Sequence, residues 1–339
     1  MTEVSESQPR LTGEVEAAKP AASLIMLSFN TRDLLRESLT SLRAVGAEID
    51  SEIIVVDNAS HDGSADMVAA EFPEIRLIRA PYNLGFAGGN NLGREAARGE
   101  FLVLVNSDAF IESGALRQGL ARMRDCPEVG LAGGLLLGRD RRPEPSARRF
   151  PSPLNDFLSL TGLAARYPRS RFFGRFDRTW ADPREPAEVD WVPGAFCIIR
   201  RAALDQVGFF DERFFLYYEE VDLCRRLRAA GWSIWYWPDL QAVHWGGESS
   251  KTLSNQKVSN HGRQLTLWRM RSALLYYRKH HGYVAAWFSA GIETAWHRLR
   301  RMKNRRDPEK HGESSAIINT QQRAWRETLG GRVSPPRPW

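Results

Sequence analysis

The chain has 339 residues, of which 42% are hydrophobic and 26% are charged, and its formal net charge is +6. This composition is close to that of an average globular protein, which excludes a chain that is disordered throughout. The length allows one large domain or two modest ones. The three cysteines are far apart and odd in number, so they provide neither a disulfide framework nor a zinc-ligand spacing, and a reducing compartment is expected.

The basic residues are concentrated at one end of the chain. Residues 251–339 are strongly basic, whereas residues 1–250 carry more Asp and Glu than Lys and Arg. A basic end on an acidic body predicts one specialised surface that faces nucleic acid or anionic lipid. Residues 1–20 lack the basic start and the apolar stretch of a secretory signal, and no apolar run reaches the ~20 residues of a membrane span. We therefore expect a soluble or peripheral protein.

Apolar segments alternate with helical patterns in the first third of the chain. The apolar runs, typical of buried strands, are 23–29, 53–57, 75–78 and 101–108. The helical patterns are 31–45, 64–72 and a stretch that opens in the loop at 83–91 and continues to about residue 98. This alternation predicts an α/β fold with a mostly parallel central sheet flanked by helices. Asn30, Asp57 and Asp108 each lie at the end of a predicted strand, so we expect them to converge on one cleft.

The rest of the chain is less regular. Residues 138–188 are rich in Arg and Pro and predict a long, mobile insertion. Beyond it, the patterns indicate a strand within 189–201, a helix within 214–231, a strand at 232–238, a loop at 242–250 and a helical stretch over 264–306. We predict four parts: a flexible leader (1–21), one domain (22–250), a basic amphipathic helical extension (251–310) and a flexible tail (311–339).

The glycine-rich segment NLGFAGGNN at 83–91 follows a strand and opens a helix, as phosphate-binding loops do. Its glycines would let the backbone approach a ligand closely, although a plain turn is the alternative. No G-x-G-x-x-G can be written through it, and the chain has no G-x-x-x-x-G-K-[ST]. The usual nicotinamide and P-loop interpretations therefore lose their main support.

Two strand-end carboxylates and one histidine are candidate ligand-binding groups. Asp57 could accept hydrogen bonds from a ribose or a pyrimidine, or could form an Asx-type turn. Asp108, in the motif NSD, would suit a hard divalent cation whose other ligands are phosphate oxygens and waters, or could cap the next helix. His244, in AVHWGG, follows a predicted strand and could reach the same cleft, although a lone histidine is more often structural.

An acidic cluster opens the predicted helix at 217–226, YYEEVDLCRR. At helical spacing Glu220 lies on the apolar face, so its side chain should point toward the interior or a cleft. Burial there would raise the pKa of the carboxyl group and suit it to act as a general base. Glu219, Asp222 and Arg226 lie on a neighbouring face, where Asp222 and Arg226 can form an ion pair. The alternative is an ordinary acidic helix start, favoured by the helix dipole.

Seven motifs occur in an order that resembles one known family. They are LSFN, VVDNASHDGS, NLGFAGGNN, NSD, WVPGAF, YYEEVDLCRR and AVHWGG, within residues 22–247. Their order is similar to that of inverting family 2 glycosyltransferases of the GT-A fold, in particular the rhamnosyltransferase-like bacterial enzymes that build cell-surface polysaccharides. The resemblance implies a Rossmann-like GT-A domain, followed here by a C-terminal helical extension.

The resemblance also implies how the donor and a metal are held. The residues that would bind the nucleotide sugar are Asn30, Asp57, Asn58, Asn83, Asn106 and Arg226. Asp108 and His244 would be the metal ligands, for Mg²⁺ or Mn²⁺. Asn106 stands where the family has the first acid of its metal motif, which leaves Asp108 as the only carboxylate of that motif.

The catalytic base and the sugar-facing residues follow in the same way. Glu220 matches the second member of the family's acidic pair, the member that acts as the base. Because the commoner pair is Glu-Asp, the assignment stays open between Glu220, Glu219 and Asp222. The residues in the region that faces donor and acceptor sugars are Trp191, Gly194 and Tyr218.

These observations together predict a metal-dependent, inverting sugar transfer. The donor would be a dTDP- or UDP-sugar, with rhamnose as one candidate, and the acceptor a hydroxyl of a saccharide or a lipid-linked saccharide. One alternative is a sugar-nucleotide pyrophosphorylase, but residues 23–32 contain one Arg and no Gly where such enzymes have a basic, Gly-rich loop. The other is an RNA-binding protein with a degenerate fold, against which the retained Asp108, acidic pair and His244 argue.

The C-terminal stretch 264–306 suggests where the protein works. It combines many Arg residues with Trp268, Tyr276, Tyr277, Trp287, Phe288 and Trp296. Basic amphipathic helices of this composition are typical of the membrane interface, although a solvated helix that packs on the domain is the alternative. We expect a cytoplasmic protein, peripheral on the inner face of the cell membrane, whose tail contacts anionic lipid rather than nucleic acid.

Overall fold

The computed structural model describes residues 19–246 and 263–337. Several predictions lie outside these described residues. They concern the leader up to residue 18, the end of the predicted loop after residue 246, the start of the predicted extension up to residue 262, and residues 338–339.

The described chain alternates strands and helices before it ends in two long helices. The strands are β1 (Ala22–Ser28), β2 (Ser51–Asp57), β3 (Arg76–Arg79), β4 (Phe101–Asn106), β5 (Ala109–Ile111), β6 (Val129–Leu137), β7 (Ala187–Glu188), β8 (Phe196–Arg200) and β9 (Ser233–His244). The helices are α1 (Arg32–Gly46), α2 (Ser64–Glu71), α3 (Gly85–Ala96), α4 (Ala115–Asp125), α5 (Pro153–Leu160), α6 (Leu163–Arg166), α7 (Arg201–Val207), α8 (Glu219–Ala229), α9 (Arg263–Lys303) and α10 (Pro308–Thr328).

The described strands form one sheet in the order β3-β2-β1-β4-β8-β6-β9-β5, and β7 pairs with β9 beside this path. β3, β2, β1 and β4 are parallel, as predicted. β8 runs antiparallel to both β4 and β6, whereas β6 and β9 are parallel to each other. The predicted α/β fold is confirmed, with a sheet that is parallel in its first half and mixed in its second.

The register of the parallel strands brings their carboxyl ends to one edge. Ser28, the last residue of β1, pairs with Asp57, the last residue of β2, and Leu27 pairs with Asn106 on β4. The strands hold this register because their apolar side chains are buried between helices on the two faces of the sheet. The polar residues that follow these strands therefore share the edge where the sequence predicts a cleft.

The predicted insertion at 138–188 contains the helices α5 and α6 and a β-bridge that pairs Arg148 with Trp191. The Arg148 guanidinium donates through Nε to the Asp177 carboxylate at 2.7 Å. The bridge joins the insertion to the segment before β8, and the ion pair lies within the insertion. Its mobility stays a prediction.

The two C-terminal helices differ from what the sequence predicts. Helix α9 bends at Gly282, whose φ of +81° is outside the helical region. Before the bend Trp268, Tyr276 and Tyr277 are buried in the core. This part of the predicted extension therefore packs on the domain and is not free to meet a membrane. A flexible tail is predicted from residue 311, yet α10 continues to Thr328. None of the described helices is both long enough and apolar enough to cross a bilayer.

Candidate active site

Asp57 and Asn30 lie at the carboxyl edge of the sheet, in the loops that follow β2 and β1. Oδ2 of Asp57 accepts from the Ser60 backbone N–H at 3.0 Å, which is the predicted Asx-type turn. Its Oδ1 is buried and has no hydrogen-bond partner among the described residues. Asn30 has a left-handed φ of +52°, and its Oδ1 accepts from the His61 backbone N–H at 2.8 Å. Asn30 thus fixes the loop beside Asp57. One carboxylate oxygen of Asp57 remains available to accept a hydrogen bond.

Asn58 and Asn83 are buried and hold the start of α3 against the end of β2. Nδ2 of Asn58 donates to Oδ1 of Asn83 at 3.0 Å, and Oδ1 of Asn58 accepts from the Leu84 backbone N–H at 2.8 Å. Oδ1 of Asn83 also accepts from the Gly85 backbone N–H at 2.8 Å. The two amides are engaged with protein partners and position the loop that opens α3.

The glycines of the 83–91 segment have a packing role. A Cβ on Gly89 would clash with Leu27 of β1, and one on Gly93 would clash with Ile25 of the same strand. Gly85 has a φ of +75°, and a Cβ there would clash with the Phe215 carbonyl. The start of α3 therefore packs directly against the sheet, because its glycines carry no side chains that would hold the helix away.

Asp108 and His244 come together at the same edge. Ala109, next to Asp108, pairs with His244 in the antiparallel register of β5 and β9, and Nε2 of His244 lies 3.4 Å from Oδ1 of the Asp108 carboxylate. The sequence predicts a loop at 242–250, but His244 is the last residue of strand β9. On the other side of the ring, Nδ1 of His244 lies 3.3 Å from Oε2 of Glu144. Burial lowers the pKa of His244, and the two carboxylates outweigh that effect and raise it.

The donor set fits a divalent cation shared with a diphosphate. A carboxylate and an imidazole suit Mn²⁺ and, with oxygen ligands added, Mg²⁺. Among the described residues no group of three or more His, Cys, Asp or Glu side chains could hold a metal on its own. Any further ligands would come from the substrate and from water, as the sequence predicts. Glu144, which the motifs did not indicate, is placed like the carboxylates that orient metal-binding histidines.

The two residues before α8 have an unusual backbone conformation. Tyr217 and Tyr218 have left-handed φ values of +69° and +70°. Such values are rare for bulky residues and are retained only where surrounding contacts impose them, often at functional sites. The turn places Glu219 and Glu220 as the first two residues of α8. It also brings Tyr218 to the wall of a cavity.

Glu219 and Glu220 differ in surroundings, and the difference corrects the predicted helix phase. Glu219 is 3% exposed, whereas Glu220 is partly exposed and faces the cavity. The sequence predicts that Glu219 lies on the face of α8 next to the apolar one, but in the structure that face is also buried inside the protein. Burial raises the pKa of Glu219 well above its usual value, and the Glu220 carboxylate raises it further. Burial also raises the pKa of Glu220, an effect that the Arg148 charge partly offsets.

Asp222 and Arg226 do not reach the cavity. Asp222 is fully buried, and its carboxylate binds Nε2 of His280 at 2.6 Å, Nζ of Lys279 at 2.7 Å and Nε of Arg226 at 2.8 Å. Arg226 also donates to backbone carbonyls of Val207, Gly208 and Phe209. The geometry therefore does not support Asp222 as an alternative base or Arg226 as a donor-binding residue. Together they fasten α8 to α9 and to the end of α7.

The cavity beside Glu220 has a volume of about 600 Å³, within the range of small-molecule sites. Its walls come from the 138–188 insertion, the segment before β8, the start of α8 and both halves of α9. They include Arg148, Asp156, Trp191, Tyr217, Tyr218, Arg269, Ser289 and Glu293. Of this lining, the sequence motifs gave a role to Glu220, Trp191 and Tyr218, and they also included the neighbouring Tyr217. The remaining residues lie far apart in the chain, and no local pattern joins them.

Trp191 forms one wall of the cavity. Its Nε1–H donates to the Arg149 backbone carbonyl at 2.8 Å, and the Arg148 guanidinium lies 4.7 Å from its ring centroid. Two residues on, Pro193 also lines the cavity. A Cβ on Gly194 would lie 3.4 Å from the Phe86 ring, so a side chain there would be tight.

Asn106 is linked to the same segment. Its backbone N–H donates to the Ala195 carbonyl at 3.0 Å. Since Ala195 directly follows Gly194, this bond connects the carboxyl end of β4 with the wall that carries Trp191.

Asp156, on α5, is a second, partly buried carboxylate of the cavity. Burial raises its pKa to about 6, although hydrogen bonds from Tyr277 and Ser289 lower it. The Tyr277 hydroxyl donates at 2.6 Å and the Ser289 hydroxyl at 3.0 Å. These contacts tie the insertion to both halves of α9. The cavity therefore exists only when α9 is docked.

Comparison with known proteins supports one family. Residues 23–208 match the family model described as Glycosyl transferase family 2. An N-acetylglucosaminyl-diphospho-decaprenol L-rhamnosyltransferase of Mycobacterium tuberculosis (strain ATCC 25618 / H37Rv) is 29% identical over 232 residues, which cover 65% of this chain and 75% of that protein. The resemblance stated from the motifs is thereby confirmed.

Two solved structures share the fold. The mannosyltransferase PcManGT from Pyrobaculum calidifontis, in complex with GDP-Man and Mn²⁺, has a TM-score of 0.54 and 16% identity, covering 92% of this chain and 88% of its own. GalNAc-T7 with UDP, GalNAc and Mn²⁺ has a TM-score of 0.54 and 12% identity, covering 79% of this chain and 50% of its own. At these identities the likeness concerns the fold alone, and it confirms the predicted GT-A architecture.

Proposed function

The chain belongs to glycosyl transferase family 2 and is a glycosyltransferase, and from that premise we propose that it moves a sugar from a nucleoside-diphosphate sugar to an acceptor hydroxyl with inversion at the anomeric carbon. The observation that carries the proposal is the Glu220 carboxylate, which faces a cavity of about 600 Å³ and has a pKa raised by burial. A carboxylate with these properties is suited to take a proton from a hydroxyl group.

The donor would lie across the carboxyl edge of the sheet. The buried Oδ1 of Asp57, which has no partner among the described residues, would accept a hydrogen bond from the nucleoside. Asn30, Asn58 and Asn83 would hold the surrounding loops in place, and Asn106 would lie beside the sugar diphosphate. Rhamnose is the first candidate for the sugar, because the Mycobacterium relative is named an L-rhamnosyltransferase. The nucleotide would be dTDP or UDP.

Asp108 and His244 would hold a divalent cation, Mn²⁺ or Mg²⁺, near the donor diphosphate. A cation bound there would neutralise the charge that develops on the leaving nucleoside diphosphate. Two protein ligands leave room for phosphate oxygens and water. Support comes from the 3.4 Å separation of the two side chains and from the Mn²⁺ present with both solved structures.

The acceptor would occupy the cavity beside Glu220. Trp191 and Tyr218 provide flat apolar faces against which sugar rings can stack. Glu220 would take the proton of the attacking hydroxyl, whose oxygen forms the new bond to the anomeric carbon as the bond to the nucleoside diphosphate breaks. We propose a lipid-linked saccharide as acceptor, in polysaccharide synthesis at the cytoplasmic face of the cell membrane, because the Mycobacterium relative's name includes a diphospho-decaprenol.

A product-release assay tests this proposal. Purified protein is incubated with dTDP-, UDP- or GDP-sugars, Mn²⁺ or Mg²⁺, and a water-soluble analogue of a lipid-linked saccharide. We expect release of nucleoside diphosphate that depends on both donor and acceptor. Diphosphate release from a nucleoside triphosphate would instead indicate a pyrophosphorylase. Salt-dependent RNA binding without any transfer would indicate the non-catalytic alternative.

Glu144 offers a separate test of the metal assignment. Glu144→Gln should weaken Mn²⁺ binding by about 10- to 100-fold, the usual cost of losing a carboxylate that orients a metal-binding histidine. Mn²⁺ affinity is measured by thermal shift in the presence of nucleoside diphosphate. Glu95→Gln, on the exposed side of α3, is the matched control and should bind Mn²⁺ like the wild type. Unchanged affinity in Glu144→Gln would show that Glu144 does not support His244.

A further inference from the structure

The part of α9 that follows the Gly282 bend carries an exposed apolar face. Apart from the adjacent pair Trp287 and Phe288, its members are spaced three or four residues apart. They are Val284, Trp287, Phe288, Gly291, Ala295, Leu299 and Met302, here called the α9 stripe. Val284 is 74% exposed, Trp287 58% and Met302 60%. Because this spacing follows the helical period, the side chains share one face that is about 27 Å long. Aligned exposed apolar side chains of this extent mark an interaction surface.

Basic residues crowd the end of the same helix. They are Arg298, Arg300, Arg301, Lys303, Arg305 and Arg306. Among the ion pairs of the described residues none involves these six side chains, whereas neighbouring Lys310 pairs with Asp307 at 2.8 Å. The stripe therefore ends in a concentration of uncompensated positive charge.

A different face of this helix segment lines the cavity beside Glu220. Ser289, Ile292 and Glu293 contribute to the cavity wall, and none of them belongs to the α9 stripe. One helix thus presents one face to the proposed acceptor site and another to the surroundings.

We propose that the α9 stripe and its basic end form a docking surface that lies in the interface of an anionic lipid bilayer. The aromatic and aliphatic side chains would enter the boundary between headgroups and acyl chains, and the basic groups would contact anionic headgroups. A second copy of the chain fits less well, because a twofold interface sets the same patch against itself, and neither the stripe nor its basic end contains an acidic residue that could pair with the basic groups. The docking surface involves a shorter part of the chain than the sequence predicts, because the aromatic residues before Gly282 are buried.

Vesicle binding by the full-length protein tests the surface. The probes are liposomes of pure phosphatidylcholine and liposomes that also contain phosphatidylglycerol, with sedimentation as the readout and neither donor nor acceptor present. We expect binding to the anionic liposomes at low salt, much weaker binding at high salt, and little binding to the neutral ones.

Substitutions then separate the two components of the surface. Phe288→Asp should lower liposome partitioning about tenfold or more, because an apolar anchor is replaced by a charge. Phe172→Asp is the matched control, since Phe172 is 52% exposed against 51% for Phe288 but lies in the insertion. Changing Arg301, Arg305 and Arg306 to Ser should reduce binding to anionic liposomes by about fivefold per charge and flatten the salt dependence.

Two outcomes would overturn the proposal. One is full-length protein that does not bind anionic liposomes at low salt. The other is a concentration-dependent dimer that Phe288→Asp abolishes, which would assign the stripe to a second copy. The link between docking and a lipid-linked acceptor rests on the proposed function, but liposome binding requires no substrate. Transfer to a soluble acceptor without liposome binding would reject the docking surface alone, and binding without transfer would reject the proposed function alone.

Discussion

Glu220→Gln is expected to lower kcat by about 10²- to 10⁴-fold, the usual contribution of a general base, while folding and donor binding persist. The amide has nearly the same shape as the carboxylate but cannot take the acceptor proton. Nucleoside diphosphate release at saturating substrates gives kcat, and thermal shift with the nucleotide sugar gives donor binding. Donor binding should be close to that of the wild type, because Glu220 lies on the cavity side of the site.

Glu219→Gln is the matched control. The pKa of Glu219 is raised well above its usual value by burial and by the Glu220 carboxylate, which favours the neutral form of Glu219. A glutamine closely resembles that neutral form. The substitution should therefore leave kcat within a few-fold of the wild-type value. A reversed order of effects, with Glu219→Gln the more damaging, would identify Glu219 as the base.

The pH dependence of kcat/KM follows from the same geometry. Glu220 acts in its deprotonated form, and burial raises the pKa of its carboxyl group. Activity should therefore fall as the pH decreases through this raised pKa, at a higher pH than an exposed glutamate would give. In Glu220→Gln this acid limb should disappear from the residual activity. An acid limb that is unchanged in the variant would assign the titration to another group.

Asp108→Asn is expected to lower donor turnover by about two to three orders of magnitude, as removal of one group that stabilises developing charge does. It takes away the only carboxylate of the NSD motif and leaves His244 with Glu144 as its acidic partner. Turnover is measured against Mn²⁺ concentration, and Mn²⁺-dependent thermal shift with nucleoside diphosphate reports metal binding directly. Both readouts should lose their response to Mn²⁺.

Asp125→Asn provides the control for Asp108→Asn. Asp125 is exposed at the end of α4, so its amide variant should keep wild-type turnover and Mn²⁺ response. Circular dichroism verifies that both variants keep the fold. Full activity of Asp108→Asn in the presence of a chelator would refute the metal assignment.

Much of the fold could be predicted from local sequence. The parallel strands β1, β2 and β4 are continuous apolar runs, and such runs indicate strands covered on both faces. Asp57 and Asp108 could be placed near one edge because parallel strands end on the same side of a sheet. The contact between Asp108 and His244 does not follow from the parallel strands, because the antiparallel pairing of β5 with β9 brings His244 to this edge.

The sequence by itself determined the α/β class, the edge of the sheet that carries the polar residues, and the acidic start of α8, because each depends on residues that are neighbours in the chain. Only the tertiary structure decided which acid faces the cavity. A helical pattern shows which residues share a face of the helix. Which face is buried depends on what packs against it, and for Glu219 and Asp222 the packing partners include distant parts of the chain. Burial of Asp222 depends on Lys279 and His280 of α9. The cavity wall likewise depends on contacts between the insertion and α9 that no local pattern encodes.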